Sequence, residues 1–158
     1  MRKLKIYLDT SVISHLHAHD RIDRMADSIE LWEAIKKQEY KPFISPVVLS
    51  EISNNKEPKF SLLMKHLKQI DYNFLQITQE AEDLAEKYIK NNVLPSKSEN
   101  DALHIAIAAI GNCDYIVSWN FKHLVNAKTN SKVKVVNAIS GYKEISIIPP
   151  MMLIEKEE

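Results

Sequence analysis

Short apolar segments alternate with longer segments of helical periodicity along nearly the whole chain, and this alternation restricts the fold more than any other feature. The apolar segments are rich in β-branched and aromatic residues, as is typical of strands. Strands that alternate with helices are joined by right-handed crossovers, which give a mostly parallel sheet flanked by helices. We therefore predict an α/β fold with strands at residues 4–8, just before residue 45, and at residues 73–77, 115–119 and 145–148.

Capping residues mark where several predicted helices begin and end. Ser45 precedes Pro46, and proline is favoured at the first position of a helix. Thr78 precedes an amphipathic segment, Ser98 begins a sequence typical of a capping box, and Gly141 is suited to a helix end. The predicted helices cover residues 22–37, 46–53 and 60–70, the segment from 79 to before 95, and residues 99–110 and 131–141.

The counts of cysteine, glycine and charged residues exclude several kinds of site. Cys113 is the only cysteine, so the chain has neither an internal disulfide nor a thiolate-rich metal site, and a small buried side chain is its usual role. Two glycines are too few for a glycine-rich phosphate loop. Lysine plus arginine and aspartate plus glutamate each number 21, so any nucleic-acid site must be local.

The length of the chain, 158 residues, fits one domain with a sizeable core. We predict that domain at residues 1–150 and a charged tail at residues 151–158. The basic start reaches Asp9 too soon for a secretory signal, and no apolar run approaches the ~20 residues that cross a bilayer. A cytoplasmic protein without a membrane segment is therefore expected.

Four polar residues lie where a parallel sheet gathers its ligand-binding side chains. Asp9 and Asn120 each follow an apolar strand, while Glu51 and Asp101 lie near the starts of helices. Ligands bind beyond the carboxyl ends of parallel strands, so these side chains are expected at one edge of the sheet. Clustered carboxylates repel one another unless a cation neutralises them, and oxygen ligands favour Mg²⁺ or Mn²⁺ over Zn²⁺. The set thus predicts a divalent metal site.

Each of these four residues also has a purely structural alternative. Asp9 and Asn120 are typical of turns in which the side chain binds the backbone. Glu51 is typical of a solvated helix face, and Asp101 of the negative charge that is favoured at a helix start.

Covalent catalysis has less support than metal chemistry, because no serine lies in a nucleophile elbow and Cys113 has no recognisable helper.

Four histidines offer further ligands for a metal ion. His15, His17 and His19 alternate in sequence and would point in different directions on a helix, so a second metal site there is the less favoured alternative. His104 follows Asp101 by about one helical turn, which brings it within reach of the same pocket. A packed or surface histidine is nevertheless the commoner role for such a residue.

Basic and aromatic residues surround Asn120. The basic cluster that follows Asn120 has two equally weighted interpretations. Either it attracts a phosphate backbone locally, or its side chains form an ordinary solvated surface. Trp119 and Phe121 flank Asn120 and are typical of base stacking or, more often, of a core. The basic residues are Lys122, His123, Lys128, Lys132 and Lys134.

Four stretches carry the candidate residues: residues 8–11 (LDTS), 51–52 (EI), 101–106 (DALHIA) and 118–120 (SWN). In this order and spacing they resemble PIN domains, particularly the VapC-type toxins of bacterial toxin–antitoxin pairs. The resemblance extends from residue 5 to about residue 150, and the DALHIA block followed by SWN is its most specific part. It implies a PIN-like α/β sandwich, with a mostly parallel central sheet flanked by helices.

The resemblance also implies an activity, because many PIN domains are ribonucleases that depend on Mg²⁺ or Mn²⁺. It implies that Asp9 and Asp101 are the principal metal ligands and that Glu51 is a second acidic catalytic position. Asn120 occupies a position where these nucleases usually have aspartate, and its lack of charge weakens the case for a second metal ion. The implied reaction is attack of water on an RNA phosphodiester bond, with the metal stabilising the developing negative charge.

Two functions of different classes follow from these residues. The first is a metal-dependent endoribonuclease that acts as a toxin, for which the resemblance implies a homodimer and a small antitoxin that blocks the acidic pocket. The second is a catalytically silent PIN scaffold that binds RNA or protein, which Asn120 and the zero net charge favour. RNA cleavage that depends on Mg²⁺ or Mn²⁺ distinguishes the two.

Overall fold

The computed structural model describes residues 2–154, in which five strands form one sheet and all paired strands run parallel. The strands are β1 (Lys5–Leu8), β2 (Lys41–Ile44), β3 (Asn73–Phe74), β4 (Tyr115–Val117) and β5 (Ser146–Ile148). The helices are α1 (Thr10–Ser14), α2 (Ile22–Lys36), α3 (Pro46–Ser53), α4 (Lys59–Leu67), α5 (Gln79–Lys90), α6 (Glu99–Ile110) and α7 (Ala127–Ser140). The predicted α/β fold with a parallel sheet is confirmed.

β1 is the middle strand of the sheet, whose order is β3-β2-β1-β4-β5. Ile6, Tyr7 and Leu8 are fully buried, as expected of a strand that helices cover on both faces. Because β2 lies on one side of β1 and β4 on the other, the connections that leave these strands diverge at their carboxyl ends. Such a divergence opens the crevice in which parallel sheets bind ligands.

Most helix boundaries agree with the capping residues in the sequence. The Ser45 hydroxyl accepts a hydrogen bond from the Val47 backbone N–H, with Pro46 at the start of α3. Thr78 caps α5 in the same way, and Gly141 ends α7 with a φ of 82°, in the left-handed region that glycine tolerates.

Helix α6 has the predicted bounds, although Ser98 before it makes no capping hydrogen bond from its side chain. Other boundaries were predicted wrongly. Helix α7 begins at Ala127 rather than at residue 131, because the Asn126 side chain caps it by accepting from the Thr129 N–H. The two strands predicted at 73–77 and 115–119 end early, at Phe74 and Val117. Beyond the end of β4, the backbone N–H of Trp119 donates to the Ser11 hydroxyl and not to a neighbouring strand.

The end of the described chain packs against the domain. Pro150–Met152 forms a 3-10 turn, and the Tyr40 hydroxyl donates a hydrogen bond to the Leu153 carbonyl. Residues 155–158 of the predicted charged tail lie outside the described residues. Among the described helices, none has both the length and the apolar character that a membrane crossing requires.

Asp114 ties the first strand to the loop before β4, at the end of the sheet opposite Asp9. Its carboxylate accepts hydrogen bonds from the Lys5 backbone N–H at 2.8 Å and from Lys143 Nζ at 2.8 Å. The Arg2 guanidinium adds two more at 3.0 and 3.1 Å. Burial raises the pKa of Asp114, but the hydrogen bonds from Arg2, Lys143 and Lys5 outweigh it and hold the pKa well below its ordinary value.

Replacing Asp114 by asparagine is expected to lower the free energy of unfolding at pH 7 by about 1–2 kcal/mol. A carboxyl group with a depressed folded pKa contributes stability above its unfolded pKa of ~3.9 and loses it as the pH falls towards the folded value. Urea unfolding should therefore separate wild type from Asp114→Asn at pH 7 and bring them together in acid. Glu33→Gln, which breaks only an exposed pair with Lys36, is the control and should cost less than about 0.5 kcal/mol.

Candidate metal centre

Asp9 follows the central strand, and three contacts fix its position. Its backbone N–H donates to the Val117 carbonyl at 3.0 Å, which ties it to the end of β4. Its Oδ2 accepts hydrogen bonds from Ser11 Oγ at 2.6 Å and from Ser118 Oγ at 2.8 Å. The side chain is buried, so these two hydroxyls orient a carboxylate that has little access to water.

Glu51 approaches from α3, whose start is fixed by the Ser45 cap. Its Oε1 accepts a hydrogen bond from Thr10 Oγ1 at 2.8 Å and lies 2.6 Å from His104 Nε2. These contacts hold the side chain between α1 and α6, and it is 28% exposed. Glu51 therefore does not lie on the freely solvated helix face that the sequence also allowed.

His104 is fully buried between the carboxylates of Asp9 and Glu51. Its Nε2 lies 3.4 Å from Asp9 Oδ1 and 2.6 Å from Glu51 Oε1, and one ligand atom from each of the three residues lies within 4.8 Å of the others. On the other side of the ring, Nδ1 lies 2.6 Å from the Tyr7 hydroxyl, which in turn lies 2.7 Å from Ser45 Oγ. His104 is therefore packed, as its commoner role suggests, and also forms a cluster with Asp9 and Glu51.

The charges of this cluster support one another. Burial lowers the pKa of His104, but the hydrogen bond with Glu51 and the charges of Asp9, Glu51 and Asp101 outweigh it and raise the pKa. Burial raises the pKa of Glu51, but the hydrogen bond and charge of His104, together with the hydrogen bond from Thr10, outweigh burial and lower the pKa. Both shifts favour an imidazolium paired with a carboxylate. In that state both ring nitrogens donate, and the Tyr7 hydroxyl proton is free for Ser45.

Asp101 lies on the first turn of α6, at the rim of the pocket. Within residues 2–154 its carboxylate accepts no hydrogen bond from a side chain or the backbone. Burial raises the pKa of Asp101, and the charge of Asp9 raises it further. Asp101 lines an open acidic pocket of about 510 Å³ together with Glu51, Glu99 and Lys97. Three carboxylates beside one lysine leave excess negative charge there, which a hard divalent cation would offset.

Asn120 follows β4, as the sequence indicates, and its side chain is already engaged. Its Oδ1 accepts a hydrogen bond from the His123 backbone N–H at 3.1 Å, while its carbonyl accepts from Leu124 and Val125. Asn120 therefore stabilises a turn, which is the structural alternative for this residue, and its amide oxygen is partly satisfied.

The other side chains that the sequence singled out go to separate partners. His15 Nδ1 lies 2.6 Å from the Ser11 carbonyl, whereas His17 Nε2 lies 2.6 Å from His66 Nε2. Trp119 is buried and donates from its indole N–H to a serine, so it belongs to the core. Cys113 is also buried, and burial raises the pKa of its thiol to about 12, which disfavours a thiolate nucleophile.

Three residues of this centre escaped sequence analysis: Tyr7, Thr10 and Ser45. The alternation of side chains along a strand does provide a signal for Tyr7, because residues two apart point to the same face, and Tyr7 is two residues before Asp9. Ser45 was assigned to a cap, which it forms, and its hydroxyl also contacts Tyr7. Thr10 begins α1, a helix that the sequence did not predict, and donates to Glu51.

Comparison with known proteins agrees with this fold. The family model described as "PIN domain" matches residues 6–122, about three quarters of the chain. Comparison with curated proteins gives no match. Among solved structures, a chain of "VapBC2 from Rickettsia felis bound to a DNA fragment from their promoter" is similar, with 15% identity, a TM-score of 0.56, and coverage of 92% of this chain and 98% of that one. The chain therefore belongs to the PIN domain family.

Proposed function

We propose that this protein is a metal-dependent endoribonuclease that hydrolyses RNA phosphodiester bonds. The observation that carries the proposal is the half-buried Asp101 carboxylate, which has no hydrogen-bond partner in residues 2–154 and faces the charges of Asp9 and Glu51. An arrangement of this kind is costly without a cation. Family membership supports the same activity, since PIN domains are generally nucleases.

In this proposal Asp9 and Asp101 hold a Mg²⁺ or Mn²⁺ ion, and Glu51 is the third acidic catalytic residue, with Asn120 beside them. When bound, the ion supplies positive charge that activates water and stabilises charge on the phosphoryl oxygens. Ser11 and Ser118 keep the Asp9 carboxylate in one orientation.

Glu51 is suited to act as an anion near neutral pH. Thr10 and His104 hold its Oε1 from two sides, and the lowered pKa keeps the carboxylate ionised. His104 and Tyr7 also exclude water from the inner side of the Asp9–Glu51 cluster, because both side chains are fully buried. Electrostatic attraction to a cation is stronger in such a site than in open solvent.

The proposal extends to the biological setting of the protein. Because the similar solved chain comes from VapBC2, we also propose that a small antitoxin binds this protein and covers the acidic pocket. A homodimer and a location in the cytoplasm belong to the same proposal.

A catalytically silent PIN scaffold that binds RNA or protein is the second candidate. It is favoured by the position of His104, whose imidazolium partly neutralises Asp9 and Glu51 without a metal ion. Asn120 adds no negative charge and already accepts a hydrogen bond from His123.

Cleavage of single-stranded and structured RNA in Mg²⁺, Mn²⁺ or EDTA tests the two candidates. We expect wild type to cleave RNA with either metal and not with EDTA, and Asp101→Asn to lose about 100-fold or more of that rate, as expected for a metal ligand. The variant is purified identically, so a contaminating nuclease would leave both preparations equally active. Folded wild-type protein that binds RNA with metal but leaves it intact would favour the scaffold.

A further inference from the structure

An open basic groove of about 510 Å³ adjoins the acidic pocket, and His123 lines both. Phe121, Lys122, Lys128 and Lys132 also line the groove, which runs between the start of α7 and the loop after α5. The described side chains along it include no aspartate or glutamate. A chain with zero net charge thus has two adjoining depressions of opposite sign.

The lysines of the groove differ in how they are held. Lys132 Nζ donates to the Asn92 carbonyl at 2.9 Å, so it bridges the two walls of the groove. Lys122 and Lys128 are exposed and form no ion pair with any carboxylate in residues 2–154. Their charges are therefore free for a ligand, whereas Lys134, which shares α7 with Lys128, pairs with Glu144 at 3.2 Å.

Phe121 contributes an exposed aromatic ring beside these charges. It is 39% exposed, and the Arg24 guanidinium lies 5.1 Å from the centre of its ring. Unpaired bases stack on exposed rings of this kind, while the bases of a duplex stay stacked on each other. The combination of free lysines and an aromatic ring matches the two parts of a single-stranded nucleic acid.

We propose that this groove binds the phosphate backbone of a single-stranded RNA segment, next to the phosphodiester bond that enters the acidic pocket, with one base stacked on Phe121. The inference rests on the proposed nuclease function and names the path of its substrate. It also accounts for how an acidic pocket retains a polyanion, since the lysines hold adjacent phosphates while the acidic pocket takes only the scissile one. An acidic polypeptide would match the lysines but would not use the ring.

Binding of a labelled single-stranded RNA to full-length wild type in EDTA, over a series of salt concentrations, tests the groove without cleavage. Lys122→Gln and Lys128→Gln should each weaken binding severalfold at low salt and reduce the slope of log K against log salt by about 0.7. Phe121→Leu should weaken binding by about fivefold with little change in slope. Lys134→Gln removes the same charge from a paired lysine on α7 and should bind as wild type does.

Other outcomes contradict separate parts of the inference or of the proposed function. Absence of RNA binding by wild type, or equal losses in Lys122→Gln and Lys134→Gln, would overturn the groove. Duplex RNA that binds as tightly as a single strand would overturn the single-stranded assignment, and displacement of RNA by polyglutamate as effectively as by unlabelled RNA would point to a protein ligand. RNA binding through the groove with no cleavage in Mg²⁺ would overturn the proposed nuclease but leave the groove intact.

Discussion

Asp9→Asn is expected to reduce metal-dependent RNA cleavage by about 100-fold or more, with little change in the fold. Loss of a residue that only orients a metal ligand already costs about 10–100-fold, so loss of a ligand's charge should cost at least the upper part of that range. The amide oxygen of asparagine can still accept from Ser11 and Ser118, which preserves the local packing. Initial cleavage rates at saturating Mg²⁺, with circular dichroism of the same samples, measure both effects.

Asp114→Asn is the matched control for this experiment. It makes the same chemical change at the opposite end of the sheet, where Asp114 contacts the first residue of β1. We expect it to keep nearly the wild-type cleavage rate below its unfolding transition. Equal activity of Asp9→Asn and Asp114→Asn would remove Asp9 from the metal site.

His104→Leu is expected to lower the free energy of unfolding by about 3 kcal/mol at pH 7 in EDTA, which is the lower end of the cost of breaking a buried charge pair. The imidazole is fully buried and contacts Asp9, Glu51 and Tyr7. Leucine is of similar size, so the loss comes mainly from carboxylates and a hydroxyl that lose their partner. Urea unfolding followed by tryptophan fluorescence measures the change.

His66→Leu provides the comparison for a histidine outside the centre. His66 is only partly buried and contacts His17 and Gln69. We expect this variant to lose less than about 1 kcal/mol. A similarly small loss in His104→Leu would mean that His104 is not the main counter-charge of the cluster.

The sequence predicts the residues of the site whose positions depend on local structure. Asp9 lies at the carboxyl end of β1 because an apolar strand ends there, and α3 begins at Pro46 because Ser45 caps it. The parallel order of the strands then brings these positions to one edge. Topology and local capping are therefore enough to anticipate the acidic character of the site.

Local sequence patterns do not determine which side chains from distant parts of the chain contact one another. The sequence favours an ordinary packed histidine at position 104, yet the ring lies between two carboxylates because α6 packs against the end of β1 with a rotation that periodicity does not define. The short length of β3 has a related cause. It is an edge strand whose residues pair only with β2, so apolar composition alone does not extend it to residue 77.

The hydrogen bonds that orient Asp9 also determine when the centre can assemble during folding. Ser118 lies 109 residues after Asp9 in sequence, and the β1–β4 pairing that brings them together spans a similar distance. Contacts of such long range form late, because the entropy of closing the intervening loop must be overcome before they stabilise the chain. A nascent chain that still lacks β4 consequently lacks the acidic constellation, even if its amino-terminal half has already collapsed.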